Sequence, residues 1–320
     1  MGLSSQTGTK ISCVIPAFNC EPWLVRAVTS VIATKYPGLE ILIVDDGSTD
    51  QTLKVANELY QQYPDTIRVL QHPDGANRGV SASRNLGMEK STGVWLCFLD
   101  ADDYVYPNRF HSAAEILSQQ PDVDGVHQLA EMVFSTAEAG EQWFRDQKYF
   151  GFPATVEADD LLAQLLLARC WATSAIVFRR SLLNGTGGFS EDLRVAEDCH
   201  LWFRMAAVGK IVSGDLTQPV SAYWRRSGSA YQPSAESRLL MVRAMMDFLK
   251  WLKTSGCPEQ RQNQAIRPVH AYVLKGLTEY RFSRRRSHAW RIALLGVFQS
   301  PALMLNRGFC GQLARLALGR

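Results

Sequence analysis

The sequence predicts an α/β fold: a mostly parallel sheet flanked by helices, followed by a basic helical region. Three observations carry this. Strand-length apolar runs alternate with helix-period segments from Ile11 to Leu99, joined by short connections, which is the signature of a parallel sheet with right-handed crossovers. Two of the strands run directly into acidic clusters, Asp45-Asp46 and Asp100/Asp102/Asp103. The charge then reverses: 19 Lys+Arg face 28 Asp+Glu through Glu236, against 15 and 3 from Ser237 onward. At 320 residues and 46% hydrophobic, the chain has ample material for a sizeable core.

Taken in order, Ile11–Ile15 reads as a strand stopped by Pro16, and a helix follows over Glu21–Thr34, with Trp23, Leu24, Ala27, Val28 and Val31 at helical spacing. Tyr36-Pro37-Gly38 breaks it. Ile41–Val44 is the second strand. A helix runs to Gln62, a strand occupies Ile67–Leu70, and the loop Gly75–Gly79 leads into a helix ending near Lys90. Val94–Leu99 is unbroken by polar residues, as a strand buried on both faces should be. Glu197–Val208 reads as a helix and Val220–Trp224 as a strand. Residues 1–9 are expected to be flexible, 10–232 to form the α/β domain, and 233–320 the basic helical region. Seven scattered cysteines without a C-x-x-C pair argue against a zinc or disulfide framework and for a reducing, cytoplasmic compartment. The first ten residues lack the apolar core of a signal peptide, and no run of about 18 apolar residues offers a membrane span.

The acidic strand ends carry the chemistry. Parallel strands bring both clusters to one rim, where open α/β sheets bind ligands. Like charges crowded there repel and lose hydration, and a hard divalent cation such as Mn²⁺ or Mg²⁺ relieves both. No G-x-G-x-x-G turn follows the first strand, where Ala17-Phe18-Asn19 stands, and there is no P-loop. A nicotinamide or flavin dehydrogenase and a P-loop NTPase are both disfavoured.

Six motifs in order give the chain a family likeness: Ile15-Pro16-Ala17-Phe18-Asn19, Val44-Asp45-Asp46-Gly47-Ser48-Thr49-Asp50, Gly79-Val80-Ser81-Ala82-Ser83-Arg84-Asn85-Leu86-Gly87, Phe98-Leu99-Asp100-Ala101-Asp102-Asp103, Gly187-Gly188-Phe189 and Glu197-Asp198. Across roughly Lys10–Trp224 the chain resembles a family 2 glycosyltransferase of the GT-A fold. That resemblance implies inverting transfer of a sugar from a nucleotide-diphosphate sugar, usually a UDP-sugar, to an acceptor hydroxyl, with a divalent metal. It implies that Pro16, Ala17, Phe18 and Asn19 border the nucleotide and that Asp45 or Asp46 contacts the base. Arg84 would lie near the nucleotide, Asp100 and Ala101 by the ribose, Asp102 on the metal, and Asp198 would be the general base. Ser83 departs from the alanine common before the Arg-Asn pair, and no histidine completes the metal shell.

Several residues keep two readings. Asp198, with Leu201, Trp202 and Met205, lies on the apolar face of its helix; an acid in a first turn also serves as a cap. Gly187, Gly188 and Glu197 suit either an acceptor-side turn or a structural one. Trp171, Trp202 and Trp224 are either sugar-stacking faces or core. Arg225 and Arg226 either clamp the diphosphate or form a solvated pair. The tail, with amphipathic segments behind Arg284-Arg285-Arg286 and again over Leu303–Leu318, suits an anionic membrane surface at the inner leaflet and a saccharide or lipid-linked acceptor, or else packs as a helical subdomain. Nucleic acid is disfavoured because no recognition module accompanies the charge. Two competitors remain: a sugar-1-phosphate nucleotidyltransferase, for which Asn19-Cys20-Glu21 is a poor phosphate loop, and a non-catalytic nucleotide-sugar-binding protein.

Overall fold

The computed structural model describes residues 9–135, 148–167, 170–225, 235–282, 286–299, 304–305 and 307–317. In chain order the elements are β1 (Ile11–Ala17), α1 (Glu21–Ile32), β2 (Leu39–Asp45), α2 (Thr52–Gln62), β3 (Ile67–Gln71), α3 (Val80–Lys90), β4 (Trp95–Phe98), β5 (Tyr104–Val105), α4 (His111–Gln119), β6 (Gly125–His127), β7 (Ala130–Phe134) and β8 (Tyr149–Phe150). They continue with α5 (Ala158–Leu166), β9 (Ile176–Arg179), α6 (Leu183–Thr186), α7 (Glu197–Val208), β10 (Ile211–Ser213), β11 (Ser221–Arg225), α8 (Ala235–Leu252), α9 (Glu259–Phe282), α10 (Arg286–Gln299) and α11 (Arg307–Ala317).

Two compact units result. The first comprises Met1–Glu157, Cys170–Glu191 and Gly209–Gly228. Its 7-stranded sheet has the order β10-β6-β9-β4-β1-β2-β3. β3, β2, β1 and β4 are parallel, and β9 alone runs against its neighbours β4 and β6. A 4-stranded sheet, β5-β11-β7-β8, completes the unit. β1, an inner strand between β4 and β2, is buried along its whole length and packs through Ile11, Cys13 and Ile15 on Leu24, Val28 and Val31 of α1. Burying each such aliphatic side chain contributes about 1.5–3 kcal/mol. The second unit comprises Ala158–Arg169, Asp192–Val208 and Ser229–Arg320, so that α5 and α7 join the C-terminal helices. There Leu193 and Ala196 pack with Ala244 of α8.

Pro16 does not stop β1, which runs through it to Ala17. Even-numbered residues of β1 turn their backbone groups toward β4, as the Leu99 N–H to Val14 carbonyl bond shows, and β4 pairs no further than Val14. The missing proline donor therefore faces a side where no strand waits. Val94, expected in β4, lies outside it and is exposed. Residues Arg284 and Arg285, Pro301 and Arg226 fall outside the described residues.

Candidate functional site

In the first unit β2 and β4 both pair parallel with β1, so their acidic ends leave the sheet on the same edge, one strand apart. The two carboxylates ending β2 differ in what holds them. Both are buried. Asp46 Oδ1 accepts the Arg78 N–H (2.8 Å) and Oδ2 the Gly79 N–H (2.9 Å), while His72 Nε2 lies 3.3 Å from Oδ1 and 3.0 Å from Ser83 Oγ. The Asp46 carboxylate thus anchors the loop that opens α3. Asp45 Oδ2 accepts from Gln71 Nε2 (3.2 Å), but its Oδ1 has no hydrogen-bond partner among the described residues. A buried carboxylate oxygen without a donor is costly and marks a place where a ligand N–H would be welcome. Gly47 sits at φ +71°, and a Cβ there would come within 2.7 Å of Asn77 N; the turn after the two acids admits only glycine.

The β1–α1 turn closes against the same edge. Asn19, at φ +47°, accepts the Thr49 N–H on Oδ1 (2.8 Å), and its own N–H donates to Ser48 Oγ (3.1 Å). Pro16 and Ala17 are buried, whereas the Phe18 ring is 48% exposed and available to a planar ligand.

At the end of β4, the buried Arg84 donates to Asp100 Oδ1 (2.7 Å) and its guanidinium stands 5.1 Å from the Phe189 ring. Ala101 is buried and Asp102 half-buried. The Asp102 carbonyl accepts from Arg26 Nη2 (2.6 Å), a guanidinium that also lies over Trp224 (4.3 Å). Asp103 is buried, accepts the Trp224 N–H (2.7 Å), and has its pKa raised well above the usual carboxylate range by burial and then by the charges of Asp100 and Asp102. Among the described residues no group of three or more His, Cys, Asp or Glu side chains converges as a metal cage. Asp100 pairs with Arg84 and Asp103 is buried, so Asp102, half-buried, is the carboxylate of the three that could hold a cation. One protein carboxylate suits Mg²⁺ or Mn²⁺, which draw their remaining ligands from phosphate and water.

The Gly187-Gly188 turn is held by α3. Asn85 Oδ1 accepts the Phe189 N–H (2.8 Å), and Asn85 Nδ2 donates to the Phe189 carbonyl (3.0 Å) and to Glu191 Oε1 (2.9 Å). Gly187 has φ +69°, and a Cβ on Gly188 would lie 2.4 Å from Asn85 Oδ1. Arg225, on β11, is buried; its Nη1 lies 3.5 Å from the Tyr223 hydroxyl, and burial raises the Tyr223 pKa. Arg226 lies outside the described residues.

Glu197 and Asp198 belong to the second unit, in the first turn of α7, directly after Ala196 at φ +63°. A non-glycine residue in that region is uncommon and holds the helix start in one geometry. Asp198 is half-buried and its Oδ1 accepts the Cys199 N–H (2.7 Å). Trp202 and Trp171 are fully buried, and Trp171 stacks on His127 at 4.9 Å. Of the two readings open for these rings, the structure supports the core one: neither has a face exposed to a sugar. Trp224 is half-buried, edge-on to Trp23.

Three residues have a part in this arrangement that the sequence does not reveal: His72, Arg26 and Asn85. His72 and Arg26 carry no local signal, since their partners lie many residues away in the chain. Asn85 stood inside a recognised motif, but its bonds run to residues 104 and 106 positions later.

The family profile described as "Glycosyl transferase family 2" matches residues 12–182. An uncharacterized glycosyltransferase of Nostoc sp. is 31% identical over 232 residues, covering 71% of this chain and 68% of that protein. YibD, an uncharacterized glycosyltransferase of Escherichia coli, is 35% identical over 134 residues, 42% of this chain and 37% of that protein. Among solved structures, S. aureus TarS 1-349 in complex with UDP-GlcNAc superposes with a TM-score of 0.58 at 19% identity, over 91% of this chain and 92% of that one. The Pyrobaculum calidifontis mannosyltransferase PcManGT, in complex with GDP-Man and Mn²⁺, gives 0.56 at 18% identity over 97% and 84%. At these identities the structural likeness establishes the fold.

Proposed function

The chain belongs to glycosyltransferase family 2, and on that premise we propose that it transfers a sugar, with inversion, from a nucleotide-diphosphate sugar, a UDP-sugar by preference, to the hydroxyl of a saccharide or lipid-linked saccharide. The observation that supports this best is the common edge of β2 and β4, where an unpartnered buried carboxylate oxygen lies one strand from a crowded acidic cluster.

In this reading Asp45 Oδ1 accepts the N3–H of uracil, a donor that an acceptor-only carboxylate selects. Asp46 holds the 75–79 loop in shape for it. Phe18 covers the base, with Pro16, Ala17 and Asn19 fixing the turn beneath. Asp100, oriented by Arg84, takes the ribose hydroxyls beside Ala101. Asp102 would hold Mn²⁺ or Mg²⁺, which when bound supplies the Lewis acidity that eases departure of the nucleoside diphosphate. Arg225, with Arg226, adds fixed positive charge for the leaving phosphates. Asp198 takes the proton of the acceptor hydroxyl as the new glycosidic bond forms, and Glu197, Gly187 and Gly188 belong to the acceptor side. The work lies in polysaccharide or glycolipid synthesis, and the C-terminal helices contact an anionic membrane surface. No helix among the described residues is long and apolar enough to cross a membrane.

The test is a donor panel with and without Mn²⁺, scored by nucleoside diphosphate release in the presence of saccharide acceptors. Asp198→Asn should lower kcat by about 10²–10⁴-fold while leaving donor affinity within a few-fold, since a general base contributes on that scale. Wild-type release of pyrophosphate instead would install the nucleotidyltransferase, and donor binding without turnover by any acceptor would install the sensor.

A further inference from the structure

The second unit carries an apolar surface that its own packing does not use. α10 turns Ala289, Ile292 and Ala293 inward, all at most 1% exposed. On its other side Trp290 is 38% and Leu294 64% exposed, with Arg291 exposed between them and Val297 half-buried one turn on. Residues at i, i+4 and i+7 form one stripe. Farther along the chain, Met304 is 48% and Leu305 88% exposed. α11 then buries Phe309 and Leu316 and leaves Arg307, Gly311, Ala314 and Arg315 exposed. Trp290, Ala293 and Leu294 fall at helical spacing in the sequence, yet the structure divides them. Ala293 belongs to the core, and Trp290 and Leu294 face out.

Charge identifies the occupant. Residues 281–320 contain eight arginines and no Asp or Glu. A second copy of the chain would bring the same arginines against its own and repel. A sheet of anionic headgroups over hydrocarbon complements both the arginines and the apolar side chains, with tryptophan at the boundary where its ring is favoured. We propose that Trp290, Leu294, Met304 and Leu305 enter the interfacial layer of an anionic lipid bilayer while Arg291, Arg307 and Arg315 hold its headgroups. This rests on the membrane contact proposed above and names the surface that makes it; it is independent of the transfer chemistry.

The full chain should float with vesicles of phosphatidylglycerol and phosphatidylcholine (about 3:7) at low salt, and float at least 10-fold less with pure phosphatidylcholine or in 0.5 M NaCl. Leu294→Glu/Leu305→Glu, at exposed positions that leave the fold intact by circular dichroism, should abolish flotation, and Arg307→Glu/Arg315→Glu should weaken it at least 10-fold. No flotation of the wild type at low salt, equal flotation on neutral vesicles, or undiminished flotation of the Leu→Glu pair would overturn the assignment. So would a wild-type dimer in light scattering that the Leu→Glu pair dissolves. Activity of each variant on a soluble acceptor separates the two readings, because the surface variants should retain it.

Discussion

Two adjacent carboxylates of the same type, Asp45 and Asp46, are given different work by their hydrogen bonds, and their variants should fail differently. Asp46→Ala removes the acceptor for two backbone N–H groups and the carboxylate 3.3 Å from His72 Nε2. It should cost about 2–3 kcal/mol in urea unfolding, since bonds to charged acceptors contribute about 1.5–3 kcal/mol each and part is recovered by water. Asp45→Ala gives up one bond and relieves an unpartnered buried oxygen, so stability should stay within about 1 kcal/mol. UDP affinity by calorimetry should nevertheless fall about 10-fold or more. Reversed outcomes would exchange the two roles. His127 carries a different prediction. Burial pushes its imidazole down to about 4, with Ser213 Oγ 3.1 Å from Nε2. The unfolded chain, with an ordinary histidine near 6.5, then binds the proton more readily than the folded one. Stability from this group is complete above about pH 6.5 and declines as pH falls toward 4, by about 2–3 kcal/mol at pH 4.5. His127→Phe should remove that portion of the slope between pH 7 and 4.5, read as the difference between wild-type and variant denaturation series.

Among elements, α3 is the one that links the acidic edge of β2 and β4 to the glycine turn: Arg84 reaches Asp100, and its neighbour Asn85 grips the backbone of Phe189 on both sides. If that grip positions the turn for the acceptor, Asn85→Ala should lower kcat about 10-fold or more while donor affinity holds. Gly188→Ala should do the same by pressing a methyl group against Asn85 Oδ1. Loss of donor affinity in step with kcat would instead make the contact one of general support. The limits of sequence reading show in the same elements. The periods of α1, α2 and α3 and the apolar runs of β1 to β4 are local patterns, so these elements and the acidic ends they position were legible. β9, antiparallel in the middle of the sheet, was not, because a short apolar run carries no mark of its direction. Pro16 misled for a related reason: a proline is forbidden only where a partner strand waits for its N–H, and that depends on where β4 ends.

At the scale of the whole molecule, the second unit is assembled from stretches that interrupt the first, Ala158–Arg169 and Asp192–Val208, together with the C-terminal helices. Composition separates acidic front from basic tail, but it is blind to which buried faces meet, so the membership of α5 and α7 could not be read from it. The division carries a prediction about where a nucleotide is felt. Every residue proposed for base, ribose or metal lies in the first unit, at or just after strand ends that are far apart in sequence and share one edge. UDP with Mn²⁺ at about 100 times its Kd should add about 2.7 kcal/mol to whatever opening exposes that edge, because the ligand binds only the closed form. In hydrogen exchange, peptides spanning 44–50, 75–84 and 98–103 should therefore slow about 100-fold where their amides exchange through that opening, while those of 235–282 keep their rates. Asp102→Asn should weaken the protection given by UDP with Mn²⁺ and leave that of UDP alone unchanged, since only the metal-dependent part of the affinity passes through its carboxylate. Slowing concentrated in α8 and α9 instead would move the nucleotide site to the second unit and leave the acidic edge of β2 and β4 without a ligand.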